Sequence, residues 1–368
     1  EGAVVSTLDN SGELDAAFGT RPTAVRSSAS LAFYGSRDML VDDDGGFLVI
    51  GAHRQLGLLV ERRSASGALD TAWGDDGSLR VAIRHRLISV GNPAAAYDSK
   101  GRVVTAARIG HRDLDDEGVV AVTRTLANGT LDASYGSAGT RFIEAGRFAP
   151  GDDTEEIGAL SVVVHPDDSV SVVASWANEG PASGLFLARL TPAGALDTAT
   201  VPGGRRVVTV PGLAPGDINQ FQVGNAVAGP NGTLLVGVAP WGAEGLEPAV
   251  VRLLPSGEVD ASYGTAGMTR IPADDVDSGN PRVRLLPMPD GGVAVAWMQW
   301  RLTPDVGDDV AVARLGPDGT AVATYGAGGR HVQRLPESSQ PSLATTPSGH
   351  VLVAWSALRH PDDPFDGS

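Results

Sequence analysis

The residues with the most chemistry to offer are carboxylates and tryptophans gathered where apolar runs give way to short polar segments. The acids fall in groups: Asp113, Asp115, Asp116 and Glu117; Asp152, Asp153, Glu155 and Glu156; Asp274, Asp275 and Asp277; Asp305, Asp308 and Asp309; Asp362 and Asp363. Trp176, Trp241, Trp300 and His111 stand at the ends of apolar runs that lead into such segments. A flat aromatic ring beside carboxylates suits a sugar, whose C–H face stacks while its hydroxyls donate to the acids. The same pairing suits a basic peptide through cation–π contacts and ion pairs. Trp176, Trp241, Trp300, His111, Asp116, Asp153, Glu155, Asp275, Asp308 and Asp363 carry this expectation. The competing reading is ordinary solvated loops, with tryptophans filling space between sheets.

Catalytic constellations are harder to find. The chain has no Gly-x-Ser-x-Gly elbow and no His-Glu-x-x-His, and its 7 histidines are scattered. With 0 Cys, disulfides, thiol catalysis and thiolate metal sites fall away together. A carboxylate pair for glycoside cleavage remains open, because spatial separation decides it. No cofactor is expected. Asp42-Asp43-Asp44 and the Asp305–Asp309 segment offer oxygen ligands for calcium, without the twelve-residue spacing and terminal Glu of a hand-type loop. The expectation is therefore a non-enzymatic protein that binds a glycan or a protein partner. The alternatives are a structural component of an envelope assembly and a glycan-cleaving enzyme using paired carboxylates.

The elements that must position these residues come from a repeat. SGELDAAFG from Ser11, SGALDTAWG from Ser66, NGTLDASYG from Asn128 and SGEVDASYG from Ser256 share Gly-x-(Leu/Val)-Asp-x-x-aromatic-Gly. AGALDTATV from Ala193 loses the aromatic and Gly, and DGTAVATYG from Asp318 loses Leu-Asp. The leading glycines Gly12, Gly67, Gly129, Gly194, Gly257 and Gly319 recur every 55 to 65 residues. The remainder at the two ends amounts to one more repeat, split across the termini. Each repeat reads as four short strands. After Gly139, TRFIE would be innermost, ALSVVVH second, SVSVVASW third and GLFLARL outermost, with the signature crossing to the next module. Asp, Asn and Gly mark the tight turns, since they tolerate positive φ. This predicts an all-β, six-bladed β-propeller of four-stranded antiparallel blades. It would be one domain over residues 1–368, its ring closed by N-terminal and C-terminal strands pairing.

Two residues recur with the signature. Asp15, Asp70, Asp132, Asp197 and Asp260 are expected to cap the turn or pair with Arg62, Arg124, Arg189, Arg252 and Arg314. Repetition at fixed spacing argues for scaffold over ligand sites. Arg80, Arg141, Arg206 and Arg270, with His331, would line a central channel and hold an anion or water, or make salt bridges. The length-variable connections would leave from one face, with signature turns and tight hairpins on the other, so recognition is expected among the variable loops.

The repeat resembles the bacterial delta-60 repeat family across essentially the whole chain, on the signature and a second Gly three residues later at Gly77, Gly139 and Gly267. The resemblance implies a propeller-like protein that is exported or surface-associated, in the extracellular space, periplasm or cell surface of a bacterium. It implies no particular activity. A chain opening at Glu1, with neither Met nor leader, reads as a mature or trimmed product. No stretch is long and apolar enough for a membrane span. A net charge of −16 would repel phosphate backbones, so nucleic acid is not an expected partner. A monomer is expected.

Overall fold

Apolar runs separated by Gly-rich turns form the strands of the described residues. The structure is a computed structural model that describes residues 34–42, 44–53, 57–81, 87–111, 119–144, 156–177, 183–210, 220–241, 247–272, 276–277, 283–301, 307–333, 341–345 and 350–354. The first sheet runs in chain order through β1 (Tyr34–Val41), β2 (Phe47–His53), β3 (Gly57–Arg63) and β4 (Ser78–Val81), each neighbour antiparallel. The second repeats this with β5 (Leu87–Tyr97), β6 (Val103–His111), β7 (Val119–Thr125) and β8 (Thr140–Glu144). The third contains β9 (Glu156–Val164), β10 (Val170–Ala177), β11 (Ser183–Leu190) and β12 (Arg205–Val208) in sequential order. The fourth contains β13 (Gln220–Ala228), β14 (Leu234–Trp241), β15 (Ala249–Leu253) and β16 (Met268–Arg270). In the fifth the first strand comes in two pieces, β17 (Val276–Asp277) and β18 (Arg284–Pro287). Both pair with β19 (Val293–Arg301), followed by β20 (Gly307–Leu315) and β21 (Arg330–Gln333). A two-stranded sheet of β22 (Ser342–Thr345) and β23 (Val351–Ala354) ends the described chain.

The strand following each signature belongs to the sheet before it. TRFIE, expected as the innermost strand of a new module, is β8 and pairs with β7. Its burial explains this edge position. Thr140 and Ile143 of β8 are buried and its other three residues are accessible, whereas β7 is buried on both faces like an interior strand. The signature is therefore a connection within one sheet, folded on itself. Thr125 bridges Leu131, Ser137 bridges Thr140, and Asp132 N donates to Arg124 O at 2.9 Å.

The chain packs as two compact units. One holds residues 1–172 and 188–205, the other residues 173–187 and 206–368. In the first, β1 packs beside β5 and β5 beside β9. Leu48, Ile50, Val60 and Trp73 of the first sheet meet Val103, Ala107 and Ala121 of the second. In the second unit, β13 lies beside β18 and β18 beside β22. Leu235, Val250 and Tyr263 there meet Val295, Trp297 and Ala313. Each such large side chain contributes about 1.5–3 kcal/mol by leaving water. The strands facing a neighbour's first strand are thus β1, β5 and β9, not those that follow the signature. Arg80, Arg141, Arg206, Arg270 and His331 sit on the fourth strands β4, β8, β12, β16 and β21, so the expectation that they line a channel is corrected. The proposed N-terminal and C-terminal pairing falls on residues outside those described.

Candidate functional site

The repeated Asp and Arg make a scaffold at the signature. Arg124 Nε donates to Asp132 Oδ2 at 2.8 Å, Arg252 Nε to Asp260 at 2.8 Å and Arg189 Nε to Asp197 at 3.3 Å. Each Asp also accepts from its own turn: Asp132 Oδ1 takes the Ser134 amide at 3.1 Å and the Ser134 hydroxyl at 2.6 Å. The Ser134 hydroxyl, ahead of Arg124, holds the Asp132 carboxyl below the ordinary carboxylate range, and Ser262 does the same for Asp260. Arg124 and Arg252 stack over the signature tyrosines Tyr135 and Tyr263, 4.5 and 4.7 Å from the ring centres. Two positions depart from this arrangement. Arg62 lies 3.5 Å from Asp70 but 2.7 Å from Asp42. Where Val322 replaces the signature Asp, Arg314 pairs with Asp290 of its own sheet's first turn at 2.6 Å. Asp15 lies outside the described residues.

The tight turns and signature connections leave each sheet at one end, and the longer connections leave at the other. At that longer-loop end of the fifth sheet, register places Asp277 of β17 opposite Trp300 of β19, and Trp300 opposite Asp308 of β20. An interstrand spacing of about 4.8 Å sets the Cα positions of Asp277 and Asp308 about 9.6 Å apart. The next rung pairs Gln299 with Asp309, and both are buried, at 5% and 2% exposure. Fully buried Trp297 donates its Nε1 to Gln299 Oε1 at 3.2 Å. Equivalent rungs elsewhere are His53–Gly57 and Ile109–Val119, so this polar rung is a departure from the repeat. Two carboxylate positions flanking an aromatic one can serve as acid and base about a glycosidic bond.

Of the other expected residues, Trp176, Trp241 and His111 are described, and none shares this rung. Trp176 is buried, at 5% exposure, so its ring is a packing face and not an open platform for a sugar. Trp241 ends β14 opposite Gln220, and His111 ends β6 opposite Leu87. Asp116, Asp153, Glu155, Asp275 and Asp363 lie outside the described residues. Among the described residues of the expected set, Trp300 and Asp308 are brought to one rung. Asp277 and Asp309 belonged to the acidic groups in the sequence, but pairing across strands is what singles them out. The Gln299 rung and Tyr97 left no sequence signal beyond interrupting the repeat.

Among the described residues no group of three or more His, Cys, Asp or Glu is gathered as for a metal ion. Asp42, expected among calcium ligands, instead accepts from Arg62 and from the Tyr97 hydroxyl. No helix among the described residues is long and apolar enough to cross a membrane.

Residues 229–263 match a family described as "Domain of unknown function (DUF5122) beta-propeller", which supports a β-propeller family for the chain. No curated protein matches it in sequence. Among solved structures it is similar to a GH43 endo-arabinanase from Bacillus licheniformis, at 11% identity and a TM-score of 0.35 over 87% of this chain and 97% of that one. It is also similar to an α-L-arabinofuranosidase from Lactobacillus brevis, at 10% identity and TM-score 0.40 over 86% and 92% of the two chains. A polysaccharide lyase of family PL25, an ulvan lyase, gives 12% identity and TM-score 0.43 over 86% and 72%. These neighbours are glycoside hydrolases and polysaccharide lyases. On that finding, the expectations of a non-catalytic binding or scaffold protein and of no enzyme are corrected.

Proposed function

We propose that the chain cleaves a polysaccharide by acid–base catalysis, with Asp277 and Asp308 acting on a sugar unit placed at Trp300. The observation that carries this reading is the rung Asp277–Trp300–Asp308, which puts one carboxylate on each strand flanking the aromatic position. Hydrolysis needs one carboxyl to protonate the leaving oxygen and another to activate water. In inverting enzymes the two carboxyl groups stand about 6.5–9.5 Å apart, leaving room for that water, and two strand spacings, about 9.6 Å between Cα positions, lie just above this range. Trp300 would stack the sugar ring between the two acids.

The proposal extends to the architecture. Four-stranded sheets, first strands packed in sequence within each unit, and a signature near the N-terminus fit a six-bladed propeller of the delta-60 repeat type. Residues 1–368 would form one domain whose sixth blade combines β22 and β23 with residues before β1. Export to the extracellular space, periplasm or cell surface fits a polymeric substrate.

Release of reducing sugar from arabinan, xylan and related neutral polysaccharides tests the activity. Asp277→Asn and Asp308→Asn should each lower kcat by about 10²–10⁴-fold, the usual contribution of a general acid or base. Trp300→Ala should chiefly raise KM. Turnover unchanged in both Asn variants, or none by the natural chain, overturns the reading.

A further inference from the structure

In the second and fourth sheets the signature arginine reaches across to the following sheet. Arg124 Nη1 donates to Pro192 O, and Arg252 Nη1 donates to Pro317 O at 2.6 Å. Both carbonyls stand two residues before the following sheet's leading glycine, so the equivalent acceptor for Arg62 is Ala127 O. Arg62 does not take it. Trp73 Nε1 donates to that carbonyl at 3.0 Å. Arg62 turns back into its own sheet, with Nη2 2.7 Å from Asp42 and 3.6 Å from Asp44. Tyr97, the last residue of β5, donates its hydroxyl to the other oxygen of Asp42. The residues that end β9, β13 and β18 are Val164, Ala228 and Pro287, so this tyrosine is specific to one place.

Beside Arg62 a cavity of about 480 Å³ opens between the first and second sheets, with Val41, Asp42, Asp44, Arg62, Trp73 and Tyr97 in its wall. It lies at the tight-turn end of these sheets, whereas the Asp277–Trp300–Asp308 rung lies at the longer-loop end of its own. The volume is that of a small-molecule site.

The chemistry of the wall selects a class of ligand. Its charges are already paired, Arg62 with Asp42, and Asp98 with Arg102 at 2.6 Å. A cation would compete with Arg62 for Asp42, and an anion would meet Asp42 and Asp44. A neutral polyhydroxyl compound disturbs neither pair. Asp44, whose side chain is 71% exposed, keeps acceptor capacity for hydroxyl donors. Arg62 keeps N–H groups to donate, while Val41, 61% exposed, and Tyr97 offer apolar surface to sugar C–H groups. We infer that this cavity is a second saccharide site, taking a short stretch of a neutral glycan. The assignment does not rest on the catalytic reading.

Isothermal titration of the full chain with neutral hexasaccharides of xylose, arabinose, glucose and mannose tests it, in a Trp300→Ala/Asp308→Asn background that disables the catalytic rung. At least one sugar should bind with Kd below about 1 mM. Asp44→Ala and Val41→Ser, which remove an acceptor and an exposed apolar surface from the wall, should each, added to that background, weaken binding by about tenfold or more without lowering the melting temperature. Three results overturn the site: no hexasaccharide binds, both added variants bind unchanged, or glucosamine or galacturonate oligomers bind more tightly through the same residues. Cleavage assays on the natural chain report separately. A protein that binds sugar here and cleaves nothing refutes the catalytic reading alone.

Discussion

At the scale of single residues, two kinds of buried titratable group govern the response to acid. His165 is buried, its Nε2 2.9 Å from Ser171 Oγ and 3.1 Å from Arg189 Nη1. Burial first, and the Arg189 charge second, push its pKa down to about 4 from an ordinary 6.5. The unfolded chain therefore takes up a proton that the folded chain refuses. The stability this neutral ring contributes is complete above about pH 6.5 and is lost as pH falls towards 4. The signature acids act lower. Asp132 has a depressed pKa, so its contribution holds above the unfolded value of about 3.9 and is lost as pH drops through the folded value. Urea unfolding measured stepwise from pH 7 to 3 should resolve two declines. His165→Gln should flatten the one between 6.5 and 4 and leave the lower one intact. A variant that declines like the natural chain across the upper window would show that His165 is already protonated when folded. The charges in these pairs were legible in the sequence, because Asp and Arg recur at fixed spacing. Arg62 with Asp42, and Arg314 with Asp290, were not, because each answers a local change that only proximity reveals.

At the scale of elements, strands and turns were legible and sheet membership was not. Apolar alternation finds β4 and β8, but alternation is the same whichever neighbour a strand pairs with. A connection as long as that from Thr125 to Thr140 also reads naturally as a crossing to a new module. What keeps β8 with β7 is the way the connection folds back through the Thr125–Leu131 and Ser137–Thr140 bridges. The signature turns then join sheet to sheet. Gly74 N donates to Asn128 O at 2.9 Å and Gly136 N to Ala193 O at 2.8 Å. Gly129 sits in that join with φ +85°, and a Cβ there would lie 2.4 Å from Gly74 N. Gly101, in the β5–β6 turn, has φ +68° and open space around it. Both substitutions to Ala incur the left-handed backbone penalty of about 1–2 kcal/mol. Gly129→Ala must in addition separate the two turns, so its unfolding free energy should fall well below that of Gly101→Ala. Equal losses in denaturant unfolding would mean the join is not a tight contact. The candidate rung was legible only as acids near a tryptophan, since the interrupted first strand, β17 and β18, is what brings Asp277 to Trp300.

At the scale of the whole molecule, the repeat count carries a prediction about residues 1–33. The first five sheets each contain at least four strands, and the last described sheet contains two. The segment before β1 holds the apolar run AVVSTL and the first signature, SGELDAAFG, which in every other repeat is preceded by a third strand and leads into a fourth. In the proposed ring that segment completes the sixth blade, and its absence would leave the edge of β23 without a partner. An unpaired edge with Val351, Leu352 and Val353 on it invites association between chains. A chain of residues 34–368 should therefore melt below the full chain and self-associate at concentrations where the full chain does not. A synthetic peptide of residues 1–33 added in trans should bind it and restore both properties, because strand pairing and packing need no covalent link. If instead the shortened chain keeps the full melting temperature and stays monodisperse, residues 1–33 do not complete a blade and the ring is wrong. If it is destabilised but the peptide has no effect, stability came from a linkage that pairing alone does not supply, and closure by strand pairing is again excluded.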